Sequence, residues 1–568
     1  MNGPLIVQSD RTVLLEVAHP QAEDARHALA VFAELERAPE HVHTYRITRL
    51  GLWNARAAGH DAASMIDTLE RFAKFPVPQS VTVDIEDTVS RYGRLVIRRE
   101  EREDAPVIAN SPGEELEQQP ALVLTASDPA VLAEVVRSKR IQPLLGERRS
   151  EHAVELQAWA RGQVKQELVK IGWPAEDLAG YTPGQPHQID LDTADWDLRP
   201  YQHEAVDSFF QQGSGVVVLP CGAGKTLVGA GAMATVKATT LILVTNTVSA
   251  RQWRTELLRR TTLTEAEIGE YSGSVKEIRP VTIATYQILT ARRKGVYTHL
   301  SLLDALDWGL VVYDEVHLLP APVFKLTADL QARRRLGLTA TLVREDGREG
   351  DVFSLIGPKR YDAPWKDIEA QGYIAPADCV EVRVDLPRDE RVAYAMADDA
   401  DKYRLCATSD TKSEVVEKLV ASHRDEQLLV IGQYIDQLDD LAGRLDAPVI
   451  KGDTSVKERQ RLFDAFRSGE VRVLVVSKVA NFSIDLPEAS VAVQVSGSFG
   501  SRQEEAQRLG RLLRPKSDGR AARFYTVVAR DTLDQDFAAK RQRFLAEQGY
   551  AYRILDATAI PDPNPSAQ

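Results

Sequence analysis

The chain contains 568 residues with a formal net charge of −13, and 43% of them are hydrophobic, which is ordinary for a globular protein. This length exceeds what one hydrophobic core supports and predicts about four domains. The acidic balance disfavours nucleic-acid binding through bulk charge, so any such contact would need local basic patches.

The cysteines and the N-terminus indicate in which cellular compartment the protein is expected. Cys221, Cys379 and Cys406 lie far apart without a CxxC pair, which excludes a four-cysteine iron–sulfur or zinc site within this chain and favours a reducing environment. The N-terminus lacks the basic start and apolar core of a signal peptide. The weakly charged stretch 215–236 contains a proline, several glycines and a central lysine, so it predicts a strand, a loop and a buried helix rather than a membrane span. These features predict a cytoplasmic protein without a membrane segment.

The first 190 residues predict two small α+β domains, at 1–120 and 121–190. Within them, strands are expected at 5–17 and 94–99, helices at 22–38, 61–74 and 151–171, and an exposed loop at 98–120. Asp128 is expected to cap a helix whose first residue is Pro129. A Pro/Gly-rich segment, 183–200, then indicates a domain boundary near residue 190.

From Trp196 onward, short apolar runs such as GVVVLP, TLILVTN, VTIATY and GLVVYDE alternate with helix-length segments. Apolar strands with intervening helices predict parallel sheets covered on both faces, here in two blocks at 191–358 and 426–555. Between them, 359–425 is more polar and predicts a linker with a small helical insertion. The tail, 556–568, is expected to be disordered. The predicted fold class is therefore α/β, with two tandem parallel-sheet domains after the smaller α+β domains.

A glycine-rich loop follows the first of these strands and precedes an alanine-rich helix. In LPCGAGKT, the glycines allow backbone N–H groups to approach phosphate oxygens at a helix N-terminus. Lys225 would reach the terminal phosphates, and Thr226 would bind Mg²⁺. Leu219 replaces the first glycine of the strict GxxxxGK[ST] pattern, but a chance GxGK[ST] string has odds on the order of one per cent. The loop therefore predicts ATP binding through Pro220, Cys221, Gly222, Ala223 and Gly224.

The run LVVYDEVH ends a second buried strand with two acids. At the carboxyl edge of a parallel sheet, Asp314 can hold Mg²⁺ and Glu315 can polarise the attacking water. Two solvated acids at a strand end are the alternative, because a lone Asp-Glu pair is common. The phosphate loop earlier in the chain favours the catalytic interpretation.

The string QRLGRLLRP in the second block carries two arginines three positions apart, Arg511 and Arg514. On a helix they share one face, and guanidinium groups suit the charge that builds on a transferring phosphoryl group. An ordinary basic helix is the alternative. If these arginines act on the same ATP as Lys225, the active site lies between two domains, whose separation would then depend on bound nucleotide.

Other basic and aromatic residues allow two interpretations each. The strings at 291–294 and 333–335 could contact phosphates or form solvated surface. Trp253 and Tyr286 could pack in the core or stack bases, and for Trp253 the core is favoured.

These motifs, in this order, resemble superfamily-2 helicases over residues 195–530. The resemblance implies two tandem RecA-like motor domains, with DLRPYQHEAV as an adenine-sensing segment. LVTNTVSARQW and IATYQIL resemble segments that track a nucleic-acid strand, DEVH the magnesium and water motif, and TAT the motif that couples hydrolysis to movement. In SKVANFSIDLP, isoleucine precedes Asp485 where many members have glycine. The implied site residues are Arg199, Gln202 (the adenine contact) and Asp485 for ATP, Gln507 for catalysis, His317, Thr339, Ala340 and Thr341 for coupling, and Thr245, Asn246, Gln252 and Thr285 for DNA.

A narrower resemblance is to the bacterial branch of the XPB family of DNA-repair helicases, through LPCGAGKT, YDEVHLLPA and LTATLVREDG. It implies ATP- and Mg²⁺-dependent 3′→5′ translocation that opens damaged or forked DNA. It also implies a damage-recognition-like domain at 121–190, a DNA-gripping thumb within 359–425, and a role for Arg344, Glu345 and Asp346 in separating the duplex. The expected partners are single-stranded and duplex DNA and a repair nuclease, and the expected state is a nucleoid-associated monomer in a bacterial cytoplasm.

The sequence also allows three other functions. A duplex translocase would move DNA without separating its strands, and a scaffold subunit would use ATP only as a switch. An RNA helicase is the weakest alternative, which stays open because DEVH alone does not select the nucleic acid. Intact Lys225, Glu315, Arg511 and Arg514 disfavour an inactive scaffold.

Overall fold

The computed structural model describes residues 3–39, 41–100, 121–220, 222–293, 296–319, 330–331, 333–340, 349–363, 368, 377–477, 489–497, 522–547 and 552–560. Among the helices of these segments, none is both long and apolar enough to cross a membrane. The stretch 215–236 instead forms the predicted strand, loop and buried helix.

The first N-terminal unit is a four-stranded antiparallel sheet packed against helices. Its elements are β1 Leu5–Val7, β2 Thr12–Glu16, α1 Ala22–Ala30, β3 Ala33–Arg37, β4 Val42–Ile47, α2 Arg49–Ala57, α3 Ala62–Phe72 and α4 Gln79–Arg91. The sheet order is β1-β2-β4-β3, and the helices cover its apolar face. The helix expected at 61–74 is confirmed by α3.

Two expectations for this unit are wrong. The single strand expected at 5–17 is a hairpin, because the chain reverses at Arg11, whose φ is 71°. The single helix expected at 22–38 ends at Ala30, and β3 follows it. Alternate β3 residues, including Ala33 and Leu35, are buried against the core. The same apolar residues suit either a helical or a strand period, and pairing with β4 decides between them.

The second N-terminal unit is a five-stranded sheet of order β7-β8-β6-β5-β9. Its elements are β5 Leu95–Glu100, β6 Ala121–Ala126, α5 Pro129–Val136, β7 Leu145–Arg148, β8 Ala153–Leu156, α6 Arg161–Lys170 and β9 Ala175–Asp177. Since β5 pairs with β6, this sheet spans the predicted boundary at residue 120. Asp128 caps α5 by accepting the Ala130 N–H at 2.8 Å, as expected. The helix expected over 151–171 is wrong in its first part, where β8 pairs with β6.

The third unit contains a seven-stranded, entirely parallel sheet. Its elements are α7 Pro200–Gln212, β10 Ser214–Val218, α8 Lys225–Val236, β11 Thr240–Val244, α9 Thr247–Arg260, β12 Ile268–Tyr271, β13 Val281–Thr285, α10 Tyr286–Thr290, the short pair β14 Arg292–Arg293 and β15 Val296–Tyr297, β16 Leu310–Asp314, β17 Arg334–Thr339, α11 Glu349–Leu355 and β18 Lys359–Asp362. The sheet order is β12-β13-β11-β16-β17-β10-β18. Every residue of β10, β11 and β13 is buried, which is why these strands are apolar without alternation.

The fourth unit repeats this architecture. Its elements are β19 Ala377–Val384, α12 Arg388–Met396, α13 Asp399–Ala407, α14 Asp410–Ser422, β20 Leu428–Gly432, α15 Ile435–Arg444, β21 Val449–Ile450, α16 Val456–Arg467, β22 Val473–Ser477, β23 Val491–Gln494, β24 Ala522–Ala529, α17 Leu533–Glu547 and β25 Tyr552–Asp556. The parallel sheet order is β21-β22-β20-β23-β24-β19-β25. The predicted fold is confirmed: two tandem RecA-like sheets follow smaller α+β units, and three helices, α12 to α14, precede β20.

A buried charged cluster joins the second unit to the first parallel sheet. Arg161 and Lys165 both donate to Asp177, at 2.7 and 2.8 Å. The guanidinium of Arg335, on β17, lies over the Tyr181 ring at 5.6 Å from its centroid. Burial lowers the pKa of Lys165 to about 7; Asp177 partly offsets this effect, and Arg335 adds to it. The cluster fixes α6 beside the strand that leads to the TAT motif.

Candidate functional site

The glycine-rich loop connects β10 to α8 in the geometry that phosphate binding requires. Gly222 and Gly224 have φ values of 82° and 80°, in the left-handed region that favours glycine. A Cβ at Gly224 would lie 2.4 Å from Nε2 of Gln202, so a side chain there would displace an amide that is hydrogen bonded to Ala223 and Arg199. The loop therefore brings bare backbone to the N-terminus of α8, where exposed N–H groups and the helix dipole favour an anion. Cys221 lies outside the described residues.

Lys225, the first residue of α8, contacts the acidic end of β16. Its Nζ lies 2.7 Å from Oε1 of Glu315, and both side chains are largely buried. Glu315 has φ 50° and ψ 54°, an uncommon conformation for a residue with a side chain. Backbone strain of this kind is maintained by the surrounding structure and is frequent at functional sites. The glycine-rich loop and the acidic motif therefore meet in the structure.

The two acids differ in their electrostatics. Burial, and then the neighbouring charge of Glu315, raises the pKa of Asp314 to about 6. Burial would also raise the pKa of Glu315, but Lys225 and then His317 outweigh it and lower that pKa. Two buried carboxyl groups beside one lysine favour a further cation. Carboxylate and hydroxyl oxygens are the donors that Mg²⁺ prefers, so Asp314 and Thr226 fit this ion.

The DEVH and TAT motifs contact each other directly. Nδ1 of His317 lies 2.7 Å from Oγ1 of Thr339, at the end of β17. The backbone N–H of Ala340 donates to the carboxylate of Glu315. The strands that carry these motifs, β16 and β17, are adjacent in the sheet. A movement of the Glu315 carboxylate would therefore directly affect the end of β17, through its bond to Ala340. Thr341 lies outside the described residues.

The predicted adenine-sensing segment packs against the phosphate loop. Nε2 of Gln202 donates to the Ala223 carbonyl at 2.8 Å, and its Oε1 accepts the Arg199 N–H at 2.9 Å. The Tyr201 hydroxyl donates to the same Ala223 carbonyl at 2.8 Å. In this arrangement Gln202 is only 1% exposed and contacts the loop itself.

The predicted strand-tracking residues lie at the ends of β11 and β13. Asn246 caps α9 by accepting the Ser249 N–H at 2.9 Å, and Gln287 on α10 donates to the Thr245 carbonyl. Gln252 is exposed on α9, whereas Thr285 is buried at the end of β13. These contacts fix the starts of α9 and α10 beside one another.

Sequence reasoning missed two contacts to Asp314. Nε1 of Trp253 donates to Oδ2 of Asp314 at 2.9 Å, and the Tyr286 hydroxyl donates to the Asp314 backbone carbonyl at 2.7 Å. Trp253 is buried, as favoured, but it also contacts the site. The spacing along the chain offers no signal for either bond, since each joins residues from separate elements.

The basic string at 333–335 does not lie wholly on the surface of the protein. Arg335 is fully buried, and it donates to the backbone carbonyls of Leu355 and Gln331 at 2.8 and 2.7 Å. For Arg335, both the phosphate-contact and the solvated-surface interpretations are therefore wrong. Arg292 and Arg293 in the other string are exposed.

Several predicted site residues lie outside the described residues. They are Asp485, Gln507, Arg511 and Arg514 in the second parallel-sheet domain and Arg344, Glu345 and Asp346 after the TAT motif. Their predicted roles, and the meeting of Lys225 with the two arginines, stay predictions.

Two tandem parallel sheets, with a phosphate loop bonded to an acidic strand end and a histidine–threonine contact to the next strand, define a nucleotide-dependent motor of the helicase class. The ERCC3/RAD25/XPB C-terminal helicase family matches residues 368–566. The family described as type III restriction enzyme, res subunit, matches residues 195–344, and a helicase conserved C-terminal domain family matches residues 5–150.

Relatives match along the whole chain. The DNA 3′-5′ helicase XPB of Kineococcus radiotolerans is 71% identical, over 100% of this chain and 99% of its own length. The protein of the same name from Mycobacterium tuberculosis is 65% identical, over 99% of both chains. The general transcription and DNA repair factor IIH helicase/translocase subunit XPB/SSL2 of Saccharomyces cerevisiae is 32% identical, over 97% of this chain and 72% of its own. The chain belongs to the XPB family of helicases, which confirms the resemblance seen in its motifs.

Proposed function

We propose that the chain is an ATP-dependent 3′→5′ DNA helicase that opens DNA during repair. The observation that carries this proposal is the continuous set of contacts from the phosphate loop to the next strand. Lys225 pairs with Glu315 at 2.7 Å, and His317 bonds Thr339 at 2.7 Å. A nucleotide bound at the loop would thereby change contacts that reach the TAT motif, as a motor requires.

The proposed chemistry assigns one role to each residue of the site. Lys225 would bind the terminal phosphates in place of Glu315, and the released Glu315 carboxylate would orient and polarise the attacking water. Thr226 and Asp314 would hold Mg²⁺, which supplies charge neutralisation at the phosphates when bound. Arg511 and Arg514 from the second motor domain would stabilise the charge that develops on the transferring group.

Other segments of the first motor domain, together with two further domains, would handle the DNA. We propose that Thr245, Asn246, Gln252 and Thr285 contact the tracked strand and that Arg344, Glu345 and Asp346 act where the duplex separates. Residues 121–190 would recognise damage, and the helices within 359–425 would grip DNA. We further propose that the protein acts as a monomer in the cytoplasm, associated with the nucleoid, and cooperates with a repair nuclease.

A duplex translocase is the second candidate. It is favoured by one specific observation, that the yeast relative is named a helicase/translocase subunit. The same ATP site would serve either function, because it powers movement and does not by itself separate strands.

Five substrates distinguish these functions: DNA with a 3′ tail, DNA with a 5′ tail, blunt DNA, a DNA triplex and a 3′-tailed RNA duplex, each with ATP and Mg²⁺. Release of the strand from 3′-tailed DNA alone is the expected result. Displacement of a third strand from a triplex without duplex opening would establish the translocase. Release from RNA alone, or the same release without ATP, would contradict the proposal.

A further inference from the structure

Two buried aromatic side chains hold Asp314 from two different elements. Trp253 of α9 binds the carboxylate at Oδ2, and Tyr286 of α10 binds the backbone carbonyl of the same residue. Trp253 is 1% exposed and Tyr286 is 2% exposed, so water competes little with either bond. One bond orients the carboxylate, and the other fixes the strand end that carries it.

The Trp253 indole also packs against the phosphate-loop helix. A Cβ added to Gly229 of α8 would lie 2.4 Å from the indole ring, which is closer than real side chains approach. Helix α8 therefore contacts the ring through bare backbone. The indole lies between the helix that begins at Lys225 and the carboxylate of Asp314, and it cannot tilt without disturbing both.

Both aromatic residues directly follow predicted DNA contacts. Gln252 is exposed and precedes the buried Trp253, while Thr285 precedes Tyr286. The bond from Gln287 to the Thr245 carbonyl joins the start of α10 to the end of β11. A DNA strand that shifts α9 or α10 would therefore act one residue away from the bonds to Asp314.

We propose that Trp253 and Tyr286 are positioning residues that couple the DNA-tracking segments to the Mg²⁺-binding carboxylate of Asp314, so that DNA and Mg²⁺–nucleotide each strengthen binding of the other. This inference rests on the proposed function, because it takes Asp314 as a metal ligand and α9 and α10 as DNA-contacting elements. Hydrogen-bond partners of metal ligands typically change metal affinity by about 10- to 100-fold. Coupling between two binding sites is reciprocal, so it can be measured from either side.

The test uses the full chain and substitutions that separate hydrogen bonding from packing. Trp253→Phe removes the N–H donor, whereas Trp253→His keeps a ring nitrogen at the position of the indole nitrogen and also loses the benzene ring. Tyr286→Phe removes only the hydroxyl. Trp308→Phe is the matched tryptophan control, because Trp308 is fully buried beside the opposite end of β16 and donates to a backbone carbonyl at 3.0 Å. Tyr271→Phe is the tyrosine control, since Tyr271 lies on β12 of the same sheet and its hydroxyl is 3.0 Å from Nδ1 of His299.

The readout is the equilibrium affinity for a fluorescent, non-hydrolysable ATP analogue, measured across Mg²⁺ concentrations with and without 3′-tailed DNA. In the wild type, DNA should tighten Mg²⁺-dependent analogue binding at least about fivefold. In Trp253→Phe and Tyr286→Phe the factor by which DNA tightens analogue binding should fall below about twofold. The Mg²⁺ concentration required for half-maximal analogue binding should rise about tenfold. Analogue binding in EDTA and DNA binding alone should not change, Trp253→His should regain part of the factor, and both controls should match the wild type.

Other outcomes overturn the inference. An unchanged DNA factor in Trp253→Phe and Tyr286→Phe, or its absence in the wild type, would contradict the coupling. A uniform loss of all affinities with a lower melting temperature would assign these residues a structural role only. Asp314→Asn separates the proposed metal site from the proposed coupling. If this variant leaves the Mg²⁺ requirement unchanged, the metal assignment and the coupling both fail. If Asp314→Asn raises that requirement while the aromatic variants keep the DNA factor, the coupling alone fails.

Discussion

Nζ of Lys225 and Oε1 of Glu315 lie 2.7 Å apart, so the residue proposed to bind phosphate and the residue proposed to polarise water neutralise each other. Their side chains are only 11% and 16% exposed, and water therefore screens this pair weakly. Nucleotide binding at the loop would give Lys225 a new anionic partner and release Glu315. The Glu315 carboxylate thus stays paired with Lys225 until a bound phosphate takes the place of Glu315 as the partner of Lys225.

Replacement of Lys225 should remove nucleotide binding. In Lys225→Gln, we expect affinity for a fluorescent ATP analogue to fall at least about tenfold and hydrolysis at least about 100-fold, because a charge-assisted phosphate contact is lost. Lys237→Gln is the control, since Lys237 caps the other end of α8 and pairs with Asp190 at 2.6 Å. Equal behaviour of the two variants in the titration would refute the phosphate-loop assignment.

The His317–Thr339 contact should transmit hydrolysis to movement. Thr339→Val preserves the shape of the side chain but removes the hydroxyl that contacts His317. We expect DNA-stimulated ATP hydrolysis to stay within about threefold of wild type, while strands released per ATP fall up to about tenfold, since one hydrogen bond contributes about 0.5–1.5 kcal/mol. Thr339→Ser keeps the hydroxyl and should restore release. Parallel loss of hydrolysis and release in Thr339→Val would argue against a coupling role.

Gly224 should tolerate no side chain. Its φ of 80° is unfavourable for alanine by about 1–2 kcal/mol, and a Cβ would lie 2.4 Å from Gln202. We expect Gly224→Ala to displace the loop and weaken ATP binding at least about tenfold. Gly443 lies within α15 with no atom within 4 Å of an added Cβ, so Gly443→Ala should leave ATP binding unchanged and stabilise the chain slightly. Normal nucleotide affinity in Gly224→Ala would show that the loop geometry is wrong.

The motor fold was predictable because its strands are buried on both faces. Strands such as Val281–Thr285 are apolar at every position, which distinguishes them from the helices between them. The proximity of Lys225 and Glu315 was predictable for a related reason. Both follow the carboxyl ends of parallel strands, and such ends meet at one edge of a sheet.

The N-terminal units were less predictable, because their amphipathic segments suit helix and strand alike. The segment from Ala22 through Arg37 shows this ambiguity, since pairing with β4 converts its second half into a strand. The bond between Trp253 and Asp314 was not predictable either. It depends on how α9 packs against β11, β13 and α8, which cannot be deduced from residue types or from their spacing along the chain.

Lys165 should make stability depend on pH. Its pKa is lowered to about 7 by burial in the folded chain, while an unfolded lysine titrates near 10.4. Between about pH 7 and pH 10 the unfolded state therefore holds a proton that the folded state has lost, and stability rises with pH by at most about 1.4 kcal/mol per unit.

Lys165→Met should remove this dependence. The melting temperature of the variant minus that of the wild type should decrease steadily from pH 7 to about pH 9.5. Lys170→Met is the control, because Lys170 lies on the same helix and its side chain is 52% exposed. A difference for Lys165→Met that stays constant over this range would contradict the lowered pKa.

The most direct test of the proposed motor is ATP turnover by Glu315→Gln on 3′-tailed DNA. The amide keeps the size of the side chain, so we expect binding of the ATP analogue to be retained. It cannot accept a proton from water, however, and the chemical step should therefore be impaired. Hydrolysis should slow at least about 100-fold, with strand release lost in parallel. Turnover at the wild-type rate would remove Glu315 from the chemistry and, with it, the proposed link from the phosphate loop to DNA movement.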